Sequence, residues 1–267
     1  YDKETGLGIA TGNVVIFDTA AQMIMHTDTF IYNRSDNYMK TISAHPWIVL
    51  LLDGDSLFIS ADTFMTHRIS ETDSSKLLLA YNDVKIYKSD MQGVCDSLVF
   101  TERDSLFTFF NQPVLWSDTS QFSGDTIMMY LKHKRTDRID LRKHSFIVNS
   151  VDEIPFNQIK GKRILTYLKE NKPYETFIYG NAETLYFPLD DAGKYIGGNK
   201  SICSEMKIKF VDGKIDKIYY FKSPNAEMIP MDTPGIERIQ LDGFHWQSNV
   251  RPLSKEVIIQ PNNNKTN

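Results

Sequence analysis

The chain has 267 residues, of which 41% are hydrophobic and 24% are charged, a composition typical of a folded globular protein. Its net charge of −4 argues against a nucleic-acid-binding protein, which normally carries a basic excess. No run approaches the roughly 18 apolar residues that a membrane-spanning helix needs, and the longest apolar stretch, Trp47 to Leu52, has the length of one strand.

Short alternating segments dominate the chain and predict half-buried β-strands. Val84 and Ile86 face one way, whereas Lys85 and Tyr87 face the other. Asp212-Gly213 lies between two such segments and predicts a tight hairpin. The alternation is clear at residues 11–18, 81–88 and 206–211.

Helix signals are scarce. The best candidate, residues 158–169, is interrupted by Gly161, and its alternating apolar residues favour a strand. The Asn-rich tail, residues 260–267, is predicted to be disordered.

A short motif recurs along the chain: a small residue or threonine, an aspartate, a serine or threonine, and a large apolar residue. Its aspartates are spaced 34, 34 and 29 residues apart. The simplest interpretation is a turn or edge device, in which these side chains bind nearby backbone amides. The copies are Thr27–Phe30, Ala61–Phe64, Cys95–Leu98 and Gly124–Ile127, with a looser one at Ala182–Leu185.

Two copies of this motif form part of a larger unit, and the larger unit itself occurs twice. In its first copy, Gly12–Ile16 is followed by the motif at Asp28, by His45–Val49 and by the motif at Asp62. In its second copy the same features follow in the same order at residues 82–86, 96, 112–116 and 125. Such a duplicated module buries its apolar face by stacking on its neighbours.

The Asp-Ser/Thr-apolar motifs, together with residues 10–16 and the proline-centred strands, resemble the OstA-like repeats of the lipopolysaccharide-transport proteins. The resemblance covers residues 1–130 well and continues more weakly through 180–187 and 204–218. It implies an all-β fold, an antiparallel OstA-like β-jellyroll that is V-shaped, with two repeated units of stacked strands in a continuous elongated body. We expect a duplicated unit at 1–131, a more divergent unit at 132–259 and the tail at 260–267.

The resemblance also implies a function: a non-catalytic carrier or bridge for lipopolysaccharide transport to the outer membrane, with acyl chains held in an apolar groove between β-sheets. For each groove position, a residue of a closed, dry core fits the pattern equally well. By strand parity, the expected groove residues are Val14, Ile16, Phe30, Tyr32, Trp47, Val49, Leu98, Phe100, Val114, Trp116, Ile127 and Met129.

The implied partners are lipopolysaccharide, through its lipid A acyl chains, and other lipopolysaccharide-transport proteins, through β-edge pairing. Head-to-tail self-association is a further expectation, and nucleic acid is not an expected partner. We expect a periplasmic protein whose export signal is not present in this chain. The alternative is a β-rich module that binds glycan or protein by its surface, with exposed aromatic residues such as Trp246 or Tyr219.

Other chemistry has little support in the sequence, so we expect no enzyme activity, no cofactor and no metal. Asp53-Gly54-Asp55 is more typical of a turn than of a glycosidase carboxylate pair, and the six histidines show no ligand spacing. Cys95 and Cys203 are interpreted as small buried residues rather than a disulfide. The basic segment 132–143 is interpreted as a solvated edge, with a phosphate or acidic-partner site as the alternative.

Overall fold

The computed structural model of the protein describes residues 1–19, 22–34, 38–42, 45–68, 75–150, 153–211 and 214–260. Antiparallel strands make up most of these residues, which confirms the predicted all-β antiparallel class. Helical structure in the described residues is limited to two 3₁₀ turns, Ile236–Arg238 and Ser248–Val250, and a short helix α1, Glu256–Ile259.

The strands are β1 (Leu7–Asp18), β2 (Met23–Asn33), β3 (Tyr38–Ile42), β4 (Trp47–Leu52), β5 (Asp55–Ser60), β6 (Thr63–Arg68), β7 (Lys76–Lys88), β8 (Met91–Thr101), β9 (Leu106–Phe110), β10 (Val114–Ser117), β11 (Ser120–Ser123), β12 (Thr126–Lys132), β13 (Arg135–Asn149), β14 (Asn157–Lys169), β15 (Lys172–Tyr186), β16 (Gly197–Val211), β17 (Lys214–Phe221) and β18 (Asn225–Pro230). The ambiguous segment 158–169 is therefore a strand, β14.

The chain divides into two compact units, each discontinuous in sequence. Unit 1 contains Tyr1–Pro113, Met128–Arg135 and the C-terminal segment from Asn249 onward. Unit 2 contains Val114–Ile127 and Thr136–Ser248. The sequence analysis expected two consecutive segments, whereas the chain passes between the compact units four times.

The strands of unit 1 belong to one continuous hydrogen-bonded sheet, whose two parts, here called sheet A and sheet B, share the long strands β2 and β7. In sheet A, Met23–His26 of β2 pairs with β4, β4 pairs with β5, and β5 pairs with Lys85–Tyr87 of β7. In sheet B, Thr29–Asn33 of β2 pairs with β3, β3 pairs with β6, and β6 pairs with Lys76–Tyr81 of β7. The hairpins β1–β2 and β7–β8 run through both sheets.

Each long hairpin passes from one sheet to the other at a corner with left-handed backbone. In β1 the corner is Gly12 (φ 83°) and Asn13 (φ 48°), and in β7 it is Asn82 (φ 60°) and Asp83 (φ 46°). The strand register shifts at both places. Glycine, asparagine and aspartate tolerate this conformation best, which explains Gly-Asn at one corner and Asn-Asp at the other.

The recurring aspartates lie at these corners. In the β1–β2 register, Asp28 is opposite the corner of β1, and Asp96 has the same place opposite the corner of β7. The Asp62 N–H donates to the carbonyls of Tyr81 and Asn82, both at 3.1 Å. The motif therefore marks where a strand leaves one sheet for the other.

Unit 2 repeats this plan. Sheet C contains β10, β11, β18 and one half of each of the strands β13 to β16, whereas sheet D contains the other halves and β17. Asp125 lies at the corner of β13, where its N–H donates to the carbonyl of Lys143 at 3.0 Å. The looser fifth copy differs, because Glu183 lies beyond the corner at Gly180-Asn181 and pairs with Lys160.

Two predictions fall on residues outside the described ranges. The Asp212-Gly213 turn is one, although the flanking residues Val211 and Lys214 do pair as antiparallel neighbours. The tail, residues 261–267, is the other.

Candidate functional site

A cavity of about 850 Å³ lies in unit 1 between sheets A and B. This volume is within the range of about 300–1,000 Å³ that is typical of small-molecule sites. Sheet A lines it with Ile16, Met23, Leu50 and Leu52, and sheet B lines it with Phe30, Tyr32, Met39, Leu78, Phe100 and Phe107.

The remaining space between the two sheets is packed. Met25, Ile48 and Ile59 of sheet A and Phe64 of sheet B are fully buried. These residues lie nearer to the corners, whereas the cavity residues lie toward the hairpin ends of the same strands. The two sheets therefore enclose a closed core near the corners and an apolar cavity away from them.

Charged side chains lie only at the edge of this cavity among its lining residues. Asp18 and Lys76 form an ion pair of 3.2 Å, and the Lys76 N–H donates to the Glu102 carboxylate at 3.4 Å. Lys134, in the turn between β12 and β13, binds the side chain of Gln22. The cavity thus combines apolar walls with a mouth that carries both signs of charge.

In unit 2 a segment of the chain without strand structure covers part of sheet C. The segment Met231–Gln247, here called the strap, packs on buried residues of sheet C, including Phe146, Val148 and Leu185. Ile236 and Leu241 of the strap are buried in this cluster. The ring centroid of Phe156 lies 5.2 Å from that of Phe244 and 5.3 Å from that of Trp246.

Two buried glutamines hold the strap. Gln158 donates to the carbonyl of Ile239 at 3.0 Å and accepts from the N–H of Leu241 at 2.7 Å. Gln121 donates to the carbonyl of His245 at 2.6 Å and accepts from the N–H of Gln247 at 2.8 Å. These contacts satisfy backbone groups of a segment that has no strand partner of its own.

The structure brings four of the twelve expected groove residues together in the cavity: Ile16, Phe30, Tyr32 and Phe100. Val14 and Trp47 line a smaller cavity of about 290 Å³, where Trp47 stacks on His26 with ring centroids 3.8 Å apart. Val49 is half-buried and lines neither cavity. The other five, Leu98, Val114, Trp116, Ile127 and Met129, are buried side chains.

Several cavity residues were not selected from the sequence, among them Met23, Met39, Leu50, Leu52 and Phe107. In β4 the lining residues are Leu50, Leu51 and Leu52, whereas the residues predicted from the sequence were Trp47 and Val49. All six residues of β4 are apolar, so alternation carries no signal there. The pairing of β4 with Met23–His26 determines which of its side chains face the cavity.

The titratable groups with shifted pKa values have structural explanations. Burial raises the pKa of the Cys95 thiol from 9.0 to about 12. The Ser89 hydroxyl and the Ser89 N–H both donate hydrogen bonds to the Asp55 carboxylate. These bonds, above all the one from the hydroxyl, lower the pKa of Asp55. Burial lowers the pKa of His26.

Asp53-Gly54-Asp55, predicted as a turn, connects β4 to β5. Asp53 pairs with Arg135 at 2.9 Å, so Asp53 and Asp55 are engaged in separate contacts. The described residues contain no group of three or more His, Cys, Asp or Glu side chains that could hold a metal ion. Cys95 and Cys203 are buried free thiols.

No family model and no curated protein matches the chain. Among solved structures, the chain is similar to LptH from Pseudomonas aeruginosa, described as the LptA-homologous periplasmic component of the lipopolysaccharide transport device. The sequence identity is 10% and the TM-score 0.40, over 53% of this chain and 97% of that one. Among the described residues, no helix is long and apolar enough to cross a membrane.

Proposed function

We propose that this chain is a non-catalytic periplasmic carrier or bridge for lipopolysaccharide on its way to the outer membrane, with acyl chains held in the cavity of unit 1. The observation that supports it is the cavity of about 850 Å³ between sheets A and B, with walls formed by aliphatic, aromatic and methionine side chains. Such walls offer burial of apolar surface to an acyl chain.

The energetics favour a ligand with more than one acyl chain. Burying a twelve-carbon chain gains roughly 9 kcal/mol, at about 0.8 kcal/mol per methylene. Association costs on the order of 4–15 kcal/mol in lost translational and rotational freedom. A single chain therefore binds weakly, and a lipid with several chains gains enough from burial to be retained.

The mouth of the cavity suits the polar part of such a lipid. Lys134 lies at the edge of the lining and belongs to the basic segment that the sequence analysis considered as a phosphate site. Lys76 is at the same edge and is paired with Asp18. We propose that Lys134 faces a phosphate group while the acyl chains lie beside Phe30 and Phe100.

Site-specific photo-crosslinking tests this proposal. A photoreactive residue at Phe100 points into the cavity, whereas one at the adjacent Val99 is on the opposite face of β8. We expect crosslinks to lipopolysaccharide from position 100 and not from position 99. Absence of crosslinks at position 100 with lipid in excess would contradict a lipid cavity, and crosslinks to a two-chain phospholipid alone would contradict lipopolysaccharide as cargo.

The proposed protein partners are other lipopolysaccharide-transport proteins, bound by β-edge pairing, with head-to-tail self-association as a related possibility. Strands β17 and β18 support edge pairing, because each has one strand neighbour, β16, in the described part of the chain. Sedimentation velocity from low to high micromolar concentration tests self-association. A sedimentation coefficient that does not change over this range would contradict it.

A further inference from the structure

The outer face of sheet D carries two rows of aromatic rings. Phe177 and Tyr179 lie on β15, and their rings are nearly parallel, with centroids 6.2 Å apart. Tyr219 and Phe221 lie on β17 and are 40% and 45% exposed. The alternate residues of these strands face the core, where Ile178 is fully buried. The rings therefore cover a solvent-facing surface.

Strand β16 runs between the two aromatic rows and presents charged side chains. Lys207 is the register partner of both Phe177 and Tyr219, and its ammonium group lies 4.9 Å from the centre of the Phe177 ring. Glu205 has the same position between Tyr179 and Phe221. Because neighbouring strands are about 4.8 Å apart, the two aromatic rows are separated by roughly 10 Å.

One end of this surface carries two neighbouring lysines. Lys209 and Lys217 are direct cross-strand partners, an arrangement that is normally destabilising. On its other side Lys209 is the register partner of Glu175, which pairs with Lys207 at 2.5 Å, and the Lys209 ammonium group lies 5.9 Å from the centre of the Tyr219 ring. Neither Lys209 nor Lys217 forms an ion pair of its own with a described carboxylate. The comparable pair Arg142 and Arg163 differs, because both contact the buried Asp140, at 3.0 and 2.7 Å.

We propose that this surface binds an acidic oligosaccharide, lying along β16 with a phosphate or carboxylate group between Lys209 and Lys217. The C–H faces of sugar rings would pack on the exposed rings of Tyr179, Tyr219 and Phe221. Hydroxyl groups of the sugars would form hydrogen bonds with the charged side chains of β16, Glu205 and Lys207. An anion shared by the two lysines removes their mutual repulsion.

The charge pattern distinguishes this ligand from a nucleic acid. Glu205 lies in the middle of the surface, beside the aromatic rings on both sides, and its carboxylate pairs with Lys222 at 3.3 Å. A nucleic acid carries a phosphate on every nucleotide and would bring one close to this carboxylate. An oligosaccharide with an occasional acidic group avoids that repulsion and offers hydroxyl donors to Glu205.

The test uses the full chain and the phosphorylated oligosaccharide that complete deacylation of lipopolysaccharide releases. The same oligosaccharide after phosphatase treatment is the comparison ligand. Neither carries acyl chains, so their binding is independent of the cavity in unit 1. In calorimetry we expect binding of the phosphorylated form, and binding at least fivefold weaker after dephosphorylation.

Two variants locate the site. Tyr179→Ala combined with Tyr219→Ala should weaken binding at least tenfold, whereas Tyr81→Ala, at an exposed tyrosine of unit 1, should not change it. Lys209→Gln combined with Lys217→Gln should abolish the difference between the two oligosaccharides.

Three results would overturn the proposal. The first is no binding of either oligosaccharide to the unmodified chain, a measurement that does not depend on how the variants fold. The second is unchanged affinity in the double tyrosine variant. The third is tighter binding of a single-stranded oligonucleotide than of the phosphorylated oligosaccharide, which would indicate a nucleic-acid surface instead.

Discussion

Gln121 and Gln158 bind the strap in the same way: each donates to one strap carbonyl and accepts from the strap N–H two residues further on. A side-chain amide used like this takes the place of a neighbouring strand's peptide group. Both glutamines are almost completely buried. The strap is therefore attached at two points, on either side of the aromatic contacts of Phe244.

Gln158→Leu should destabilise unit 2. The substitution leaves the carbonyl of Ile239 and the N–H of Leu241 without their partner, at a cost of roughly 2–4 kcal/mol for two buried polar groups. Urea unfolding followed by tryptophan fluorescence measures the loss. The control is Gln240→Leu, at an exposed strap position. Equal stability of the two variants would contradict the role of Gln158.

Leu50→Trp should fill part of the cavity and weaken lipid binding. Leu50 lines the cavity, whereas Val49 lies on the opposite face of β4. We expect at least a fivefold loss of affinity for lipopolysaccharide in the first variant and little change in Val49→Trp. Overpacking a core usually costs about 1–3 kcal/mol. Leu50→Trp should destabilise the protein by less than this, because the cavity has room for the indole ring. The opposite ranking of the two variants would show that the cavity does not hold the lipid.

Gly161→Ala should destabilise the fold at the corner of β14. A Cβ atom at this position would lie 2.5 Å from Cγ2 of Ile178, which is fully buried. Overpacking of this kind costs about 1–3 kcal/mol. Gly8→Ala is the matched control, because its new methyl group would lie 3.2 Å from the side chain of Tyr1 and 3.9 Å from the carbonyl of Tyr32, with no contact as short as 2.5 Å. Thermal unfolding of both variants compares them directly, and a melting temperature as high for Gly161→Ala as for the control would refute the clash.

The Cys95 thiol should be unreactive in the folded protein. Its pKa of about 12, against the usual 9.0, reduces the thiolate at pH 8 roughly 1,000-fold. In a Cys203→Ala variant, Cys95 of the folded protein should be alkylated roughly 1,000-fold more slowly than a thiol with the usual pKa. In urea, alkylation of the unfolded chain should be rapid. Because the folded state retains the proton, the stability due to Cys95 is present below pH 9.0 and is lost as the pH rises toward 12. Rapid alkylation without urea would show that Cys95 is accessible.

The strands could be predicted from the sequence because alternation is a local signal, as in β7. The repeated Asp-Ser/Thr motif was interpreted only as a turn or edge device, and the structure shows that its aspartates lie at corners. The parity of β4 could not be predicted, since every residue from Trp47 to Leu52 is apolar. Pairing with β2 decides which of them face the cavity.

The strap could not be predicted for a different reason. Its hydrogen bonds join residues more than 80 positions apart, as between Gln158 and Leu241. The buried glutamines carry no periodic signal, and a polar residue within a strand normally indicates a solvent-facing position. Only the three-dimensional structure shows that these side chains point inward.

The last described part of the chain has a consequence for truncated forms of the protein. Arg251 donates to Gln92 at 2.7 Å, and Ile258 of α1 is fully buried in unit 1, where α1 packs against β5 and β7. One structural piece of the first unit therefore follows all of the second in the chain. An N-terminal fragment that ends before Asn249 lacks this piece, so it exposes the surface of β5 and β7 that α1 covers in the folded protein.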